Sequence, residues 1–102
     1  MSATAMGFDF GTKRIGVAAG QNLTGTAQGI ATISNIGKDG PWHEIHRLIR
    51  QWQPEILVVG LPLGKEGTET TLSQAVRGFG AELASRFSLP VDYVDETLTS
   101  RA

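Results

Sequence analysis

A chain of 102 residues, 40% of them hydrophobic and 19% charged, has the size and composition of one globular domain, residues 1–102, around a single core. The absence of cysteine excludes disulfides and cysteine-ligated zinc, and no run approaches the roughly 20 apolar residues that span a membrane. The net charge of −1 argues mildly against a general nucleic-acid binder.

Charge is unevenly placed. Residues 1–51 carry Lys13, Arg14, Lys38, Arg47 and Arg50 against Asp9, Asp39 and Glu44. The second half is acidic, and Asp92, Asp95 and Glu96 fall within five positions. Such crowding of like charge costs stability unless a cation lies nearby. The start, Met1 to Met6, has neither the basic residues nor the apolar run of a signal peptide, so a cytoplasmic domain with no membrane partner is expected.

In chain order, Met6, Phe8 and Phe10 alternate with Gly7, Asp9 and Gly11, the period of a strand with unlike faces over residues 5–10. Gly11-Thr12 makes a turn, residues 13–19 return, and a third strand runs over 28–34, which together predict an antiparallel meander. Asp39-Gly40-Pro41 announces a helix with Pro41 in its first turn. Trp42, Ile45, Leu48, Ile49 and Trp52 follow at helical spacing until Gln53-Pro54 ends the helix. Residues 55–60, Glu-Ile-Leu-Val-Val-Gly, suit a strand buried on both faces. A loop over 61–67 leads to a longer helix, 69–87, with Leu72, Ala75, Val76, Phe79, Leu83 and Phe87 on one face. Gly78 and Gly80 each weaken that helix by about 1 kcal/mol relative to alanine. Pro90 opens a last strand over 91–94, and Asp95-Glu96-Thr97 reads as a strand end that starts a further helix. The order βββαβαβ predicts an α/β domain whose first three strands are hairpins and whose last two are joined by right-handed crossovers and run parallel.

Asp9 is the leading candidate for chemistry. It lies between Gly7 and Gly11, on the strand face opposite Phe8 and Phe10, so its face has little side-chain bulk and a ligand can come close. An aspartate that only caps a turn needs no glycine on each side. Asp95 and Glu96 sit at the carboxyl end of the last strand, the end where ligands gather in open α/β sheets. Carboxylates converging from different strands hold hard cations such as Mg²⁺ or Mn²⁺, which activate water and stabilise the leaving oxygen in phosphodiester cleavage. Asp95 and Glu96 point to opposite strand faces, so only one need reach Asp9, and Asp95 also suits a helix cap. Lys13 and Arg14 read equally as phosphate-steering or as solvated turn residues. Lys65 follows Gly60-Leu61-Pro62-Leu63-Gly64, a segment that reads as a lid or as a plain strand-to-helix loop. His43 and His46, three apart on the helix, could share a metal but read better as a solvated helix flank, and Trp42 and Trp52 read better as core or rim than as base-stacking platforms.

Three blocks are familiar together. Gly7-Phe8-Asp9-Phe10-Gly11-Thr12-Lys13-Arg14-Ile15-Gly16-Val17-Ala18, then Val58-Val59-Gly60-Leu61-Pro62-Leu63 with Gly67-Thr68-Glu69, then Asp95-Glu96-Thr97-Leu98-Thr99-Ser100, resemble in order the motifs of the YqgF/RuvX family. The resemblance implies an RNase H-like fold with a five-stranded mixed sheet and helices packed on it. It implies a metal-dependent nuclease related to Holliday-junction resolvases, or one that matures the small-subunit ribosomal RNA precursor in association with that precursor. It makes Asp9 the first metal-binding carboxylate and Glu96 the second, with Asp95 beside it, Mg²⁺ or Mn²⁺ as cofactor, and Lys13 and Arg14 as the basic pair of the first block. Structured RNA or branched DNA is then the expected partner, and a resolvase acting on a symmetric junction works as a homodimer. Family members continue into another helix with a further acidic residue, whereas no Asp or Glu follows Glu96 here. A domain truncated at its carboxyl end, with weak or absent catalysis, is therefore expected.

Two other readings compete. Asp9-Phe10-Gly11-Thr12 also resembles the first phosphate loop of actin-like and sugar-kinase ATPases, but their site lies between two lobes and this length supplies one. The other is a non-catalytic module of the same fold that binds RNA or protein.

Overall fold

The alternating and helical patterns of the chain condense into five strands and two helices: β1 (Ala5–Phe10), β2 (Arg14–Gly20), β3 (Gln28–Ser34), α1 (Trp42–Trp52), β4 (Ile56–Leu61), α2 (Thr71–Phe87) and β5 (Val91–Asp95). The structure is a computed structural model, and it describes residues 4–20, 28–62 and 70–95. The strands form one sheet in the order β3-β2-β1-β4-β5, with β1 in the centre. β1 and β2 pair antiparallel, as do β2 and β3, while β4 lies parallel to β1 and β5 parallel to β4. The predicted meander and the predicted parallel pair are both present, and β1 joins them.

Both helices pack on one face of the sheet. Met6 and Phe8 of β1, Ile15 and Val17 of β2, and Leu57, Val59 and Leu61 of β4 form a single buried cluster with Ile45 and Leu48 of α1 and Val76, Phe79 and Leu83 of α2. Phe79 is its hub, with ring centroids 5.7 Å from Phe8, 5.0 Å from Phe10 and 5.4 Å from Trp42. β4 is buried on both faces as expected, since Val58 is enclosed along with Leu57 and Val59. It runs one residue further than predicted because Leu61 still pairs with Asp95.

α1 starts one position later than predicted. Pro41 is its N-cap, without a side-chain capping bond, and not part of its first turn. The helix stops at Gln53, which adopts the left-handed conformation at φ 49° and donates its N–H to the Ile49 carbonyl. Pro54 then prevents its continuation.

The buried face of α2 differs from the predicted one. Leu72 and Ala75 are exposed, and Ser73 is wholly buried in their place. The cause is a capping box. Thr70 Oγ1 accepts from the Ser73 N–H at 3.1 Å, and Ser73 Oγ accepts from the Thr70 N–H at 2.6 Å. A hydroxyl satisfied in this way can be buried without the usual penalty. The inner stripe is therefore Ser73, Val76, Phe79, Gly80, Leu83. Gly80 has a reason to be glycine: a β-carbon there would stand 2.8 Å from Cζ of Tyr93, whose hydroxyl donates to the Arg77 carbonyl at 3.2 Å. Gly78 meets open space and has no such reason.

Candidate active site at the carboxyl edge of the sheet

The register of β1 decides what surrounds Asp9. Met6 and Phe8 go into the core beneath the helices, so Asp9 emerges on the opposite face, where it is exposed. Asp9 pairs across β2 with Gly16, and a β-carbon added at Gly16 would lie 3.7 Å from Cβ of Asp9. On the other side Phe8 pairs with Val59, so the next step sets Asp9 beside Gly60. Asp9 thus has glycine across the sheet on both sides as well as along its own strand. The along-strand pair is legible in the sequence. The cross-strand pair is not, because it depends on which strands become neighbours. Asp9 has no hydrogen-bond or ion-pair partner among the described residues.

The turn after Asp9 is built around a second glycine. A β-carbon at Gly11 would fall 2.5 Å from the Arg14 carbonyl oxygen, so no larger residue fits without moving backbone. Asn35, just past β3, holds this turn from across the sheet. Its Nδ2 donates to the Gly11 carbonyl at 2.7 Å, and its backbone N–H donates to the Lys13 carbonyl at 2.9 Å. Lys13 and Arg14 are exposed on the clamped turn. Sequence reasoning overlooked Asn35, and an asparagine after a strand carries no signal of a partner 24 residues away.

The remaining site candidates are distributed as follows. Val94 is level with Gly60, the neighbour of Asp9, and Asp95 is one step further, level with Leu61. Asp95 therefore stands two strands from Asp9, about 10 Å in backbone terms, and in a row out of step with it. Asp92 is exposed and shares the Asp9 face, but lies a row nearer the start of the strands, level with Val58. Glu96 and Lys65, and the lid or loop segment from Leu63 onward, lie outside the described residues. Among the described residues no three His, Asp or Glu side chains gather closely enough to hold an ion. A free carboxylate at the carboxyl end of the central strand, with its face cleared by glycine, suits one ligand of a hard cation. His43 and His46 are exposed on α1, as expected for a helix flank. No described helix is long and apolar enough to cross a membrane.

The model of the RuvX Holliday junction resolvases matches residues 3–102. This chain belongs to the RuvX family. Its relatives include a protein of Glaesserella parasuis named "Putative pre-16S rRNA nuclease", 50% identical over 98% of this chain and 72% of its own length. One of the same name from Aeromonas salmonicida is 48% identical over 97% of this chain and 71% of its length. Among solved structures, Thermus thermophilus RuvC in complex with Holliday junction substrate superimposes with a TM-score of 0.59 at 16% identity, over 91% of this chain and 63% of that one. Archaeoglobus fulgidus Pelota reaches 0.61 at 13% identity, over 93% of this chain and 27% of that one. Two proteins with different titles share the fold, so fold alone does not assign an activity. The RNase H-like fold expected from the three sequence blocks is the fold of this RuvX-family chain.

Proposed function

We propose that this chain carries the nuclease site of its family, hydrolysing phosphodiester bonds in structured nucleic acid, with Asp9 as the first metal-binding carboxylate. The observation that carries the proposal is the setting of Asp9: exposed, unpartnered among the described residues, at the carboxyl end of the central strand, with Gly16 against it. Membership of a Holliday junction resolvase family and the names of the relatives support nucleic acid as the substrate. The relatives' names favour the small-subunit ribosomal RNA precursor over a DNA junction; on this reading the protein works in the cytoplasm, with the ribosomal precursor as its partner. A homodimer belongs to the junction reading, where two symmetric strands are cut.

Carboxylate ligands suit Mg²⁺ or Mn²⁺; the family motif makes Glu96 the second ligand, with Asp95 beside it. A divalent ion there supplies activated water and charge neutralisation at the leaving oxygen. The chain's own residues hold that chemistry in place. Gly7, Gly16 and Gly60 leave room for a phosphate over Asp9. The Asn35 clamp sets the position from which Lys13 and Arg14 contact the backbone of the substrate, and Lys65 adds a further cation from the segment after β4.

Manganese-dependent cleavage of structured RNA and of branched DNA tests this reading. It is measured on the 102-residue chain, on a version extended at its carboxyl end to the length of its relatives, and on the Asp9→Asn form of each. Cleavage by the extended protein that disappears with Asp9→Asn supports the site. Cleavage that survives Asp9→Asn overturns it, and no cleavage by any version favours a non-catalytic module.

A further inference from the structure

A second region of the molecule has the chemistry of a phosphate contact. The segment after β3 and the start of α1 form, with the end of α2, an open groove of about 880 Å³ lined by Asn35, Lys38, Trp42, His43, His46 and Arg86, among others. Its cationic side chains are Lys38 and Arg86, with the two imidazoles beside them, and Asp39 is the carboxylate on its wall. The groove is locally basic in a chain whose net charge is −1.

Arg86 is held ready. Its guanidinium lies 4.5 Å from the centre of the Trp42 ring, and Trp42 is itself stacked on the core residue Phe79. Its Nε donates to Glu82 one helical turn earlier at 2.7 Å. Those two contacts fix the plane of the guanidinium and use one of its five N–H groups. The Nη groups have no partner among the described residues. A guanidinium immobilised on an aromatic ring, with one edge paired and the other open, is suited to bidentate phosphate recognition. Glu82 neutralises part of its charge, but the pair is exposed, where such attraction is weak.

The groove also shares one residue with the turn beside the candidate active site. Asn35 lines its wall and, with the same side chain, holds the Gly11 carbonyl of the turn that carries Lys13 and Arg14. We propose that this groove binds the phosphodiester backbone of the nucleic acid next to the segment being cut, with Arg86 and Lys38 as the phosphate contacts. The inference rests on the nuclease reading for its ligand, and its test uses binding, not cleavage.

His43 and His46 are the two histidines of the chain, so their ring C–H resonances report on this groove alone. A ten-nucleotide single-stranded RNA, and a DNA of the same sequence, are titrated into the 102-residue chain at several salt concentrations. Either oligonucleotide is expected to move both histidine signals to saturation. Lys38→Gln and Arg86→Gln should each weaken binding roughly three- to tenfold and lower the salt slope by about 1. Lys38 is exposed in a loop, so its variant tests the groove even if Arg86→Gln perturbs α2. Unmoved histidine signals, absence of binding, or unchanged affinity and slope in both variants overturn the groove. Metal-dependent cleavage that persists after that result leaves the nuclease reading intact, and groove binding without cleavage by any version overturns the nuclease reading alone.

Discussion

The two faces of the sheet are built from the same strands and differ most at β1, where one face is core and the other is open. On one, Met6, Phe8, Ile15, Val17, Leu57 and Val59 are driven together by burial beneath α1 and α2. On the other, around Asp9, the neighbouring residues are glycine at positions 7, 16 and 60, while Val58 is enclosed and a second exposed carboxylate, Asp92, lies a row away. A period of two lets one strand serve both ends: β1 anchors the core with alternate residues and presents chemistry with the rest. Stability and function are therefore separable by face, and substitutions a single residue apart should act on different observables.

The sharpest contrast is between Asp9 and Phe79. Asp9→Asn is expected to lower cleavage by the extended protein on the order of 1,000-fold, while its urea midpoint stays within the small range of an exposed substitution. Phe79→Ala removes the ring that touches Phe8, Phe10 and Trp42 and should cost about 3–5 kcal/mol in unfolding free energy. A large loss of stability from Asp9→Asn would break the division between the faces.

A subtler contrast lies within α2. Gly80→Ala drives a β-carbon into the Tyr93 ring and should destabilise by about 1–3 kcal/mol, as overpacking does. Gly78→Ala meets open space and should stabilise by about 1 kcal/mol. In a Tyr93→Ala background the sign at Gly80 should reverse, and thermal melts of the four proteins check this.

On the open face, Gly16→Ala should raise stability by about 0.5–1 kcal/mol through the strand's reduced entropy loss. The same methyl group abuts Asp9, so metal affinity measured by calorimetry should fall. A gain in stability with unchanged affinity would mean that the glycine does not keep room for a ligand.

The smallest effect belongs to the surface pair on α1. Arg47 donates to Glu44 at 2.7 Å, and that bond, with the attraction of the guanidinium, holds the Glu44 carboxyl below its ordinary value. A carboxylate lowered in the folded state adds stability above its unfolded value and loses it as pH falls through the folded one. Glu44→Gln should therefore lower Tm slightly at neutral pH and not at all in acid where Glu44 is already protonated.

Much of this was legible in the residues themselves. Strict alternation over residues 5–10 marked β1 and its two faces, and Trp42, Ile45 and Leu48 marked the buried side of α1. The inner face of α2 was misread because hydropathy ranks Leu72 above Ser73, whereas the Thr70 capping box makes burial of the serine cheap. Asp9 stood out through glycines along its own strand. The glycines opposite it, the Asn35 clamp and the Arg86–Trp42 contact each join residues remote in sequence, and only the assembled sheet and helices bring them together.

The most direct test of Asp9 as a metal-binding carboxylate is a Mn²⁺ titration followed by backbone amide NMR, since the ion broadens signals around it without any need for catalysis. Broadening centred on Asp9, Gly16 and Gly60, and lost in Asp9→Asn, is the predicted result. Broadening centred on His43 and His46, or unchanged by Asp9→Asn, would contradict the assignment.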